Sequence, residues 1–286
     1  MKSERVSFLN SRGLRLAARM DLPSRHTPKA FVLFAHCFTC TKEFKAAVNI
    51  GKTLARAGFG VLRFDFTGLG ESEGEFSDTN LTSNIDDVIS AVQFLETEYA
   101  APQILIGHSF GGIAMIKAAR SVNSAVAVVT IATPSDPKHV LTHFGDSRES
   151  IEADGSAEVQ VLGHRVQIKR QFITDIMAAD MQADLRDLGK ALLILHAPGD
   201  DVINIDHAAQ LFAQARHPKS FITLDTADHL LSDRSDATYA GAAIAIWVSR
   251  YLVPVSQAGA ASTLDGDAAN SLAHAVESTT LFAQFL

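Results

Sequence analysis

Short apolar runs alternate along the chain with longer segments that repeat with a helical period. The runs have the length of strands and span residues 31–35, 61–64, 104–106, 125–131, 192–195 and 221–224. The helical segments span residues 44–57, 81–98, 110–120, 205–215 and 236–251. Strands that are buried on both faces read as continuous apolar runs. The alternation therefore predicts an α/β fold in which helices cover both faces of a mostly parallel central sheet.

The N-terminus shows a different pattern. Residues 6–9 and 14–20 have the character of strands, and the turn-forming sequence Asn10-Ser11-Arg12-Gly13 separates them. Turn residues between two strand-like runs are typical of a hairpin. We therefore expect an antiparallel pair that joins the sheet.

Residues 136–187 also interrupt the alternation, because the interval between strands is longer there than a single crossover needs. Four β-branched residues flank Leu162-Gly163-His164-Arg165 and predict a small hairpin inside the interval. They are Val159, Val161, Val166 and Ile168. We interpret this interval as an inserted cap over the functional site. The alternative is an ordinary helical crossover with a long surface loop.

These patterns predict one domain over residues 1–252, with the cap at about 136–187, and a linker and C-terminal tail over residues 253–286. Residues 254–270 are rich in Ala, Ser, Gly and Asp, as linkers often are. Residues 271–286 are more apolar, and we expect them to dock on the domain or on a second copy of the chain, which would form a homodimer. The apolar residues are Leu272, Val276, Leu281, Phe282, Phe285 and Leu286.

Composition narrows the classes of partner. The 286 residues include 32 acidic and 25 basic ones, with a net charge of −7. No basic block could follow a phosphate backbone, so nucleic acid is not an expected partner. Neither an apolar secretion signal nor a membrane-spanning run is evident, which favours a cytoplasmic protein. Cys37 and Cys40 are the only cysteines, too few for a disulfide framework.

The sequence that follows residues 104–106 contains a candidate nucleophile. It reads Gly107-His108-Ser109-Phe110-Gly111-Gly112 and leads into an alanine-rich helical segment. A G-x-S-x-G sequence between a strand and a helix makes a sharp turn that exposes the serine hydroxyl. Ser109 is therefore the candidate nucleophile. The alternative is that Ser109 only caps the helix.

A serine nucleophile needs a base and a group that orients the base, and in sheets of this type both follow the serine along the chain. The run 192–195 ends near Asp200 and Asp201, and the run 221–224 ends near His229. Asp200 is the candidate acid and His229 the candidate base, on the same edge of the sheet. His36, His108 and His196 lie at strand ends, where we expect a packing or hydrogen-bonding role. The remaining histidines are expected to be ordinary exposed residues: His26, His139, His143, His164, His207, His217 and His274.

The loop after the first parallel strand supplies further candidates. An oxyanion hole in such a fold uses the backbone N–H of the residue after the nucleophile and one from this loop. Phe110 and Phe38 occupy these positions. Cys37 and Cys40 flank Phe38 and are expected to be two buried, unreactive thiols, with a redox pair or a metal site as alternatives.

Acidic residues follow the run 61–64. Asp65 and the turn 71–75 either border the mouth of the site, where they would disfavour anionic substrates, or form a solvated loop.

Five segments in register resemble those of α/β-hydrolase carboxylesterases. The segments span residues 36–40, 63–74, 107–112, 196–200 and 227–230, and they contain His36, Asp65, Ser109, Asp200 and His229. More narrowly, residues 5–252 resemble the hydrolase half of bacterial proteins in which such an esterase is fused to an OsmC-like peroxide-reductase domain. The resemblance implies esterase activity, with Ser109, Asp200 and His229 as the catalytic triad.

Two features depart from these relatives. Many members of the wider esterase group have glycine where this chain has Cys37, so a side chain lies beside the oxyanion loop, where we expect it to narrow the pocket. No OsmC-like sequence follows before Leu286, so no coupling of hydrolysis to peroxide chemistry is expected.

The sequence thus predicts a serine hydrolase that cleaves small carboxylic esters of short to medium acyl chains through an acyl-enzyme, without a metal or an organic cofactor. A thioesterase or another acyl hydrolase is the first alternative. The second is a non-catalytic module that uses the same fold for binding, because a fold alone does not establish a function. Serine at position 109 excludes the dehalogenase variant of this chemistry, which needs a carboxylate there.

Overall fold

The computed structural model describes residues 1–24, 26–161 and 163–252. Ten strands occur within these ranges. They are β1 (Lys2–Leu9), β2 (Arg15–Leu22), β3 (Phe31–Ala35), β4 (Gly60–Phe64), β5 (Pro102–His108), β6 (Ala127–Ile131), β7 (Ser156–Val161), β8 (His164–Lys169), β9 (Ala191–His196) and β10 (Lys219–Thr223).

Eight of these strands form the central sheet in the order β1-β2-β4-β3-β5-β6-β9-β10. Strand β2 pairs antiparallel with β1 and β4, and every other pair in this sheet is parallel. The predicted mostly parallel sheet is therefore confirmed. The carboxyl ends of the parallel strands β3, β4, β5, β6, β9 and β10 meet at one edge, where sites form in such sheets.

Eight α-helices accompany the strands in the described ranges. They are α1 (Lys45–Arg56), α2 (Leu81–Glu98), α3 (Phe110–Ala119), α4 (Ser147–Asp154), α5 (Arg170–Ala178), α6 (Met181–Arg186), α7 (Asp206–Gln214) and α8 (Arg234–Val248). Short 3₁₀ helices span Phe76–Asp78 and Pro137–His143. The five helices predicted from the sequence are all present.

Two apolar layers enclose the central sheet, because successive side chains of each strand point to opposite faces. Leu33 and Ala35 of β3 enter one layer, together with helices α2 and α3. Val32 and Phe34 enter the other, together with α1 and α8. Burial on both faces explains why these strands appear in the sequence as unbroken apolar runs.

The predicted N-terminal hairpin is confirmed. Strands β1 and β2 pair from Lys2 opposite Leu22 to Leu9 opposite Arg15. The side-chain oxygen of Asn10 accepts hydrogen bonds from the backbone N–H groups of Arg12 and Leu14, each at 3.0 Å. This local bonding stabilises the turn and fixes the register of the pair.

The segment 136–187 contains the 3₁₀ helix Pro137–His143, helices α4 to α6 and the hairpin of β7 and β8. Strand β8 begins at His164, which pairs with Val161. The predicted turn of four residues is therefore too long, since His164 and Arg165 belong to the strand. The ring of Phe172 in α5 packs 5.3 Å from the ring of Phe38, so this segment contacts the loop after β3.

The expectations for residues 253–286, including the linker, the docked tail and its part in a homodimer, lie outside the described residues.

Candidate active site

Ser109 stands at the sharp turn between β5 and α3. Its φ of 52° and ψ of −123° are unusual for a residue other than glycine. Its N–H donates a 2.8 Å hydrogen bond to the carbonyl oxygen of Ile131 on the neighbouring strand β6. Strained backbone that the surrounding structure holds in place is common at functional sites. The turn places Ser109 at the carboxyl edge of the sheet, where 8% of its surface is exposed.

The glycines around Ser109 permit this turn because the backbone of α3 lies very close to its neighbours. A Cβ atom at Gly107 would lie less than 3.0 Å from the backbone of Gly111, and one at Gly111 would be equally close to the carbonyl oxygen of His36. A Cβ at Gly112 would meet the side chain of Thr133. No side chain fits at these three positions, which accounts physically for the glycine pattern.

His229 and Asp200 lie together at the same edge. The Nδ1 atom of His229 is 2.8 Å from the Oδ2 atom of Asp200. The Oδ1 atom of Asp200 accepts hydrogen bonds from the backbone N–H groups of Val202 and Ile203 at 2.9 and 2.8 Å. Burial raises the pKa of Asp200, but the hydrogen bond from His229, its charge and these two N–H groups together hold that pKa below its ordinary value.

An ionised carboxylate only accepts hydrogen bonds, so the shared proton lies on Nδ1 of His229 and the lone pair lies on Nε2. The buried Nε2 atom has no hydrogen-bond partner among the described residues. His229 lines the same pocket as Ser109. The structure thus brings the three predicted residues Ser109, Asp200 and His229 to one edge of the sheet, where Ser109 and His229 line the same pocket and His229 contacts Asp200.

The two predicted oxyanion residues also border this pocket. The rings of Phe38 and Phe110 line it and pack at 5.3 Å from each other. Phe110 is the first residue of α3, and the first N–H groups of a helix lack an intrahelical acceptor. Phe38 lies in the loop between β3 and α1. Their backbone N–H groups remain the candidates for an oxyanion hole.

A buried ion pair anchors the far end of that loop. The Nζ atom of Lys42 lies 2.6 Å from the Oδ2 atom of Asp65, and the backbone N–H of Lys42 donates to Oδ1 at 2.5 Å. Lys42 is 2% exposed and Asp65 is 0% exposed. Lys42 also contacts Glu71 at 2.6 Å. Asp65 is therefore neither a solvated loop residue nor a border of the mouth. It holds the loop that carries Phe38.

A disulfide joins Cys37 and Cys40 in the same loop, with their Cα atoms 5.3 Å apart. The expectation of two separate, unreactive thiols is therefore wrong. A spacing of two intervening residues lets the loop turn back on itself, and the N–H of Cys40 donates to the carbonyl oxygen of Cys37 at 3.2 Å. The C-x-x-C spacing was the sequence signal for this bond, and it had indicated a redox pair only as an alternative to two free thiols.

The histidines at strand ends have the expected hydrogen-bonding role. The Nε2 atom of His108 lies 2.8 Å from the carbonyl oxygen of His229, and that of His196 lies 2.7 Å from the carbonyl oxygen of Ile203. The Nδ1 atom of His36 lies 2.8 Å from the carbonyl oxygen of Cys37. A carbonyl only accepts, so each imidazole donates and holds a loop of the site.

Two histidines expected to be ordinary surface residues instead line the pocket. His139 and His143 belong to the 3₁₀ helix Pro137–His143, and their rings lie 5.7 Å apart. Burial, reinforced by His139 and His229, lowers the pKa of His143 below its ordinary value. No pattern in the sequence marks this position, because it is the fold of the segment 136–187 that brings the 3₁₀ helix to the pocket of Ser109. His207 packs on His139 at 4.7 Å.

Comparison with family models matches residues 32–242 to the alpha/beta hydrolase family. The chain belongs to this family. Among solved structures, the esterase domain of a Rhodothermus marinus protein is 40% identical, with a TM-score of 0.73, over 88% of this chain and 100% of that domain. Est1E of Butyrivibrio proteoclasticus, solved with ferulic acid, is 18% identical with a TM-score of 0.76, over 86% of this chain and 99% of that one. At that identity the second likeness concerns the fold alone.

A curated relative is the human mitochondrial palmitoyl-protein thioesterase ABHD10. It is 36% identical over 132 residues, which make up 46% of this chain and 41% of the thioesterase. This chain thus spans less than half of the length of that relative. The comparisons support an alpha/beta hydrolase with relatives of esterase and thioesterase type. The narrower resemblance to OsmC fusion proteins stays a prediction.

Within the described part of the chain, no helix is both long and apolar enough to cross a membrane.

Proposed function

We propose that this chain is a serine carboxylesterase that cleaves small esters through an acyl-enzyme. The observation that carries the proposal is the contact of His229 Nδ1 with Asp200, because it leaves Nε2 without a partner in a residue that lines the pocket of Ser109. A serine hydroxyl is a weak nucleophile unless a base takes its proton. Here Asp200 fixes the tautomer of His229, and Nε2 is the base.

In the first half of the reaction, Nε2 of His229 takes the proton of Ser109 while Oγ attacks the ester carbonyl. Negative charge develops on the carbonyl oxygen, and the backbone N–H groups of Phe38 and Phe110 stabilise it. Protonated His229 then gives its proton to the leaving alcohol. Asp200 stays ionised and stabilises the imidazolium.

In the second half, water takes the place of the alcohol. Nε2 of His229 removes a proton from this water, which attacks the acyl carbon bound to Ser109. The same two N–H groups stabilise the second oxyanion, and Ser109 leaves with the proton from His229. No step requires a metal or an organic cofactor.

The small volume of the pocket favours substrates with short acyl groups. The space beside Ser109 measures about 20 Å³, close to the volume that one water molecule occupies. Apolar residues form most of its walls, among them Val140, Val161 and Ile203. A longer acyl chain would have to displace side chains of the segment 136–187, so we expect its turnover to be slower.

A thioesterase is the second candidate, because the matched part of the chain resembles a palmitoyl-protein thioesterase. A panel of p-nitrophenyl esters from acetyl to dodecanoyl, with the matching acyl-coenzyme A thioesters, separates the two. The esterase proposal predicts the highest kcat/KM for the shortest oxygen esters. Highest values for long-chain thioesters would favour the thioesterase.

A fluorophosphonate probe tests the enzyme against the non-catalytic module. We expect covalent labelling that maps to Ser109 and disappears in Ser109→Ala. Ser135 provides a matched control, because it also lies beside a histidine but does not belong to the sharp turn. Its Oγ atom is 2.9 Å from Nδ1 of His207. Ser135→Ala should still be labelled. Absence of labelling in the parent chain would favour the binding module.

A further inference from the structure

The disulfide between Cys37 and Cys40 encloses a proposed oxyanion donor. Phe38 and Thr39 are the only residues between the two cysteines. Phe38 lines the pocket of Ser109. We therefore expect a conformational change in the loop that the disulfide closes to alter the position of the Phe38 N–H group.

The loop that the disulfide closes, residues 37–40, contains a strained residue. Thr39 has a φ of 64°, in the left-handed region that β-branched residues strongly disfavour. Its buried Oγ1 atom has no hydrogen-bond partner among the described residues, so no side-chain bond of its own compensates for this conformation. The disulfide is the covalent constraint that keeps Thr39 there. Without it, we expect Thr39 to relax and the neighbouring peptide of Phe38 to move.

Both ends of the loop are held independently of the disulfide. At one end, Nδ1 of His36 donates to the carbonyl oxygen of Cys37 at 2.8 Å. At the other end, Lys42 is bound to buried Asp65. Opening the disulfide therefore frees the turn around Phe38 and Thr39 while the rest of the site stays in place.

The two cysteines of the disulfide differ in exposure. Cys37 is 1% exposed, whereas Cys40 is only partly buried. Thiol–disulfide exchange needs access of a thiolate to one sulfur of the pair. Because Cys40 is the more exposed residue, we expect attack at its sulfur, with Cys37 as the leaving group.

We propose that the Cys37–Cys40 disulfide is a redox modification site for dithiols, and that its state sets the rate of the hydrolase through the Phe38 N–H. This inference rests on the proposed function. A dithiol thiolate attacks Sγ of Cys40, the Cys37–Cys40 bond breaks, and Cys37 leaves as a thiolate that takes a proton. The second thiol of the reductant then attacks the mixed disulfide. This releases Cys40 as a thiol and the reductant as its own disulfide, a transfer of two electrons.

The kinetic consequence is specific. The Phe38 N–H donates to the oxyanion, which exists only in the transition state and the intermediate, so its displacement lowers kcat and leaves KM unchanged. A general loosening of the pocket would instead raise KM. We expect reduction to lower kcat by roughly tenfold, less than the loss that follows complete removal of such a donor.

The experiment uses the full chain, oxidised or reduced with dithiothreitol, and measures kcat and KM for p-nitrophenyl acetate. Alkylation with iodoacetamide and intact mass report how many thiols are free in each sample. We expect no alkylation before reduction, two alkylated cysteines after it, a lower kcat, and recovery with oxidised dithiothreitol. The Cys37→Ser/Cys40→Ser double variant is the control, and its kcat should not respond to dithiothreitol.

Three results would overturn the inference: free thiols in the oxidised sample, the same kcat in both states, or an equal response of the double variant. Hydrolysis that is present and equal in both states would refute the redox site and leave the proposed function intact. Absence of hydrolysis in both states would instead refute the proposed function. Unchanged circular dichroism on reduction separates a local effect on the loop from unfolding.

Discussion

The Nδ1 atom of His229 lies 2.8 Å from the Oδ2 atom of Asp200, although 29 residues separate them in the chain. The pairing exists because β9 and β10 are parallel neighbours, so the loops that follow them meet at one edge of the sheet. Backbone N–H groups hold the other carboxylate oxygen at 2.8 and 2.9 Å. The carboxylate is therefore fixed before any substrate binds.

This pairing predicts a difference between two neighbouring carboxylates. Asp200→Asn should lower kcat by about 10⁴-fold, because an amide favours the wrong tautomer of His229. Asp201 is exposed, and Asp201→Asn should leave kcat close to that of the parent. Steady-state hydrolysis of p-nitrophenyl acetate by both variants measures the difference. A larger loss in Asp201→Asn would move the assignment of the acid by one residue.

His108 makes stability depend on pH. Burial, reinforced by the nearby charge of His229, lowers the pKa of His108 from 6.5 to about 3. The unfolded chain therefore binds a proton at pH values where the folded chain does not, which favours unfolding. The stabilising contribution is complete above pH 6.5 and is lost as the pH falls from 6.5 towards 3, by up to about 1.4 kcal/mol per pH unit.

Urea unfolding over this pH range tests the point. We expect the free energy of unfolding of His108→Asn to depend less steeply on pH than that of the parent. His164→Asn is the matched control, because His164 is exposed on the hairpin of β7 and β8, and it should keep the slope of the parent. Equal slopes for all three proteins would show that His108 does not cause the pH dependence.

The ion pair of Lys42 and Asp65 predicts a large loss of stability when one partner is removed. Asp65→Asn leaves the buried Lys42 with only the half-exposed Glu71 as a charged partner, and should cost about 3–5 kcal/mol of unfolding free energy. Glu152→Gln breaks the exposed pair with Arg148 and should cost about 0.5 kcal/mol or less. Urea unfolding measures both variants.

A second variant identifies the cause. If the uncompensated charge of Lys42 is responsible, Lys42→Met combined with Asp65→Asn should be more stable than Asp65→Asn alone. A double variant that is less stable than the single one would assign the loss to the hydrogen bonds of Asp65 with the backbone. Similar losses in Asp65→Asn and Glu152→Gln would contradict the view that burial gives this pair its importance.

The sequence carried enough information for the sheet and the sharp turn, for a physical reason. Strand β3 is buried on both faces and appears as the apolar run Phe31–Ala35, with the same bounds in the structure. The glycines at 107 and 111 mark places where backbones lie in close contact, and Gly112 marks a place where the side chain of Thr133 leaves no room for a Cβ atom. Both signals are local, so a linear sequence displays them.

Contacts between segments that are distant in the sequence could not be predicted in the same way. The pair of Lys42 and Asp65 joins residues 23 positions apart, and neither residue differs in type from a surface charge. His139 reaches the pocket because the segment 136–187 folds back over it. The disulfide was visible only as a spacing, and a spacing does not distinguish a bonded pair from two thiols.

The proposed reaction depends above all on Ser109 as the nucleophile. The decisive measurement is the rate of p-nitrophenyl acetate hydrolysis by Ser109→Ala, with circular dichroism to show that the variant is folded. We expect a loss of roughly a million-fold in kcat, or a rate at the detection limit, because the proposed chemical step depends on this hydroxyl. A folded Ser109→Ala protein that hydrolyses the ester at the rate of the parent would contradict it.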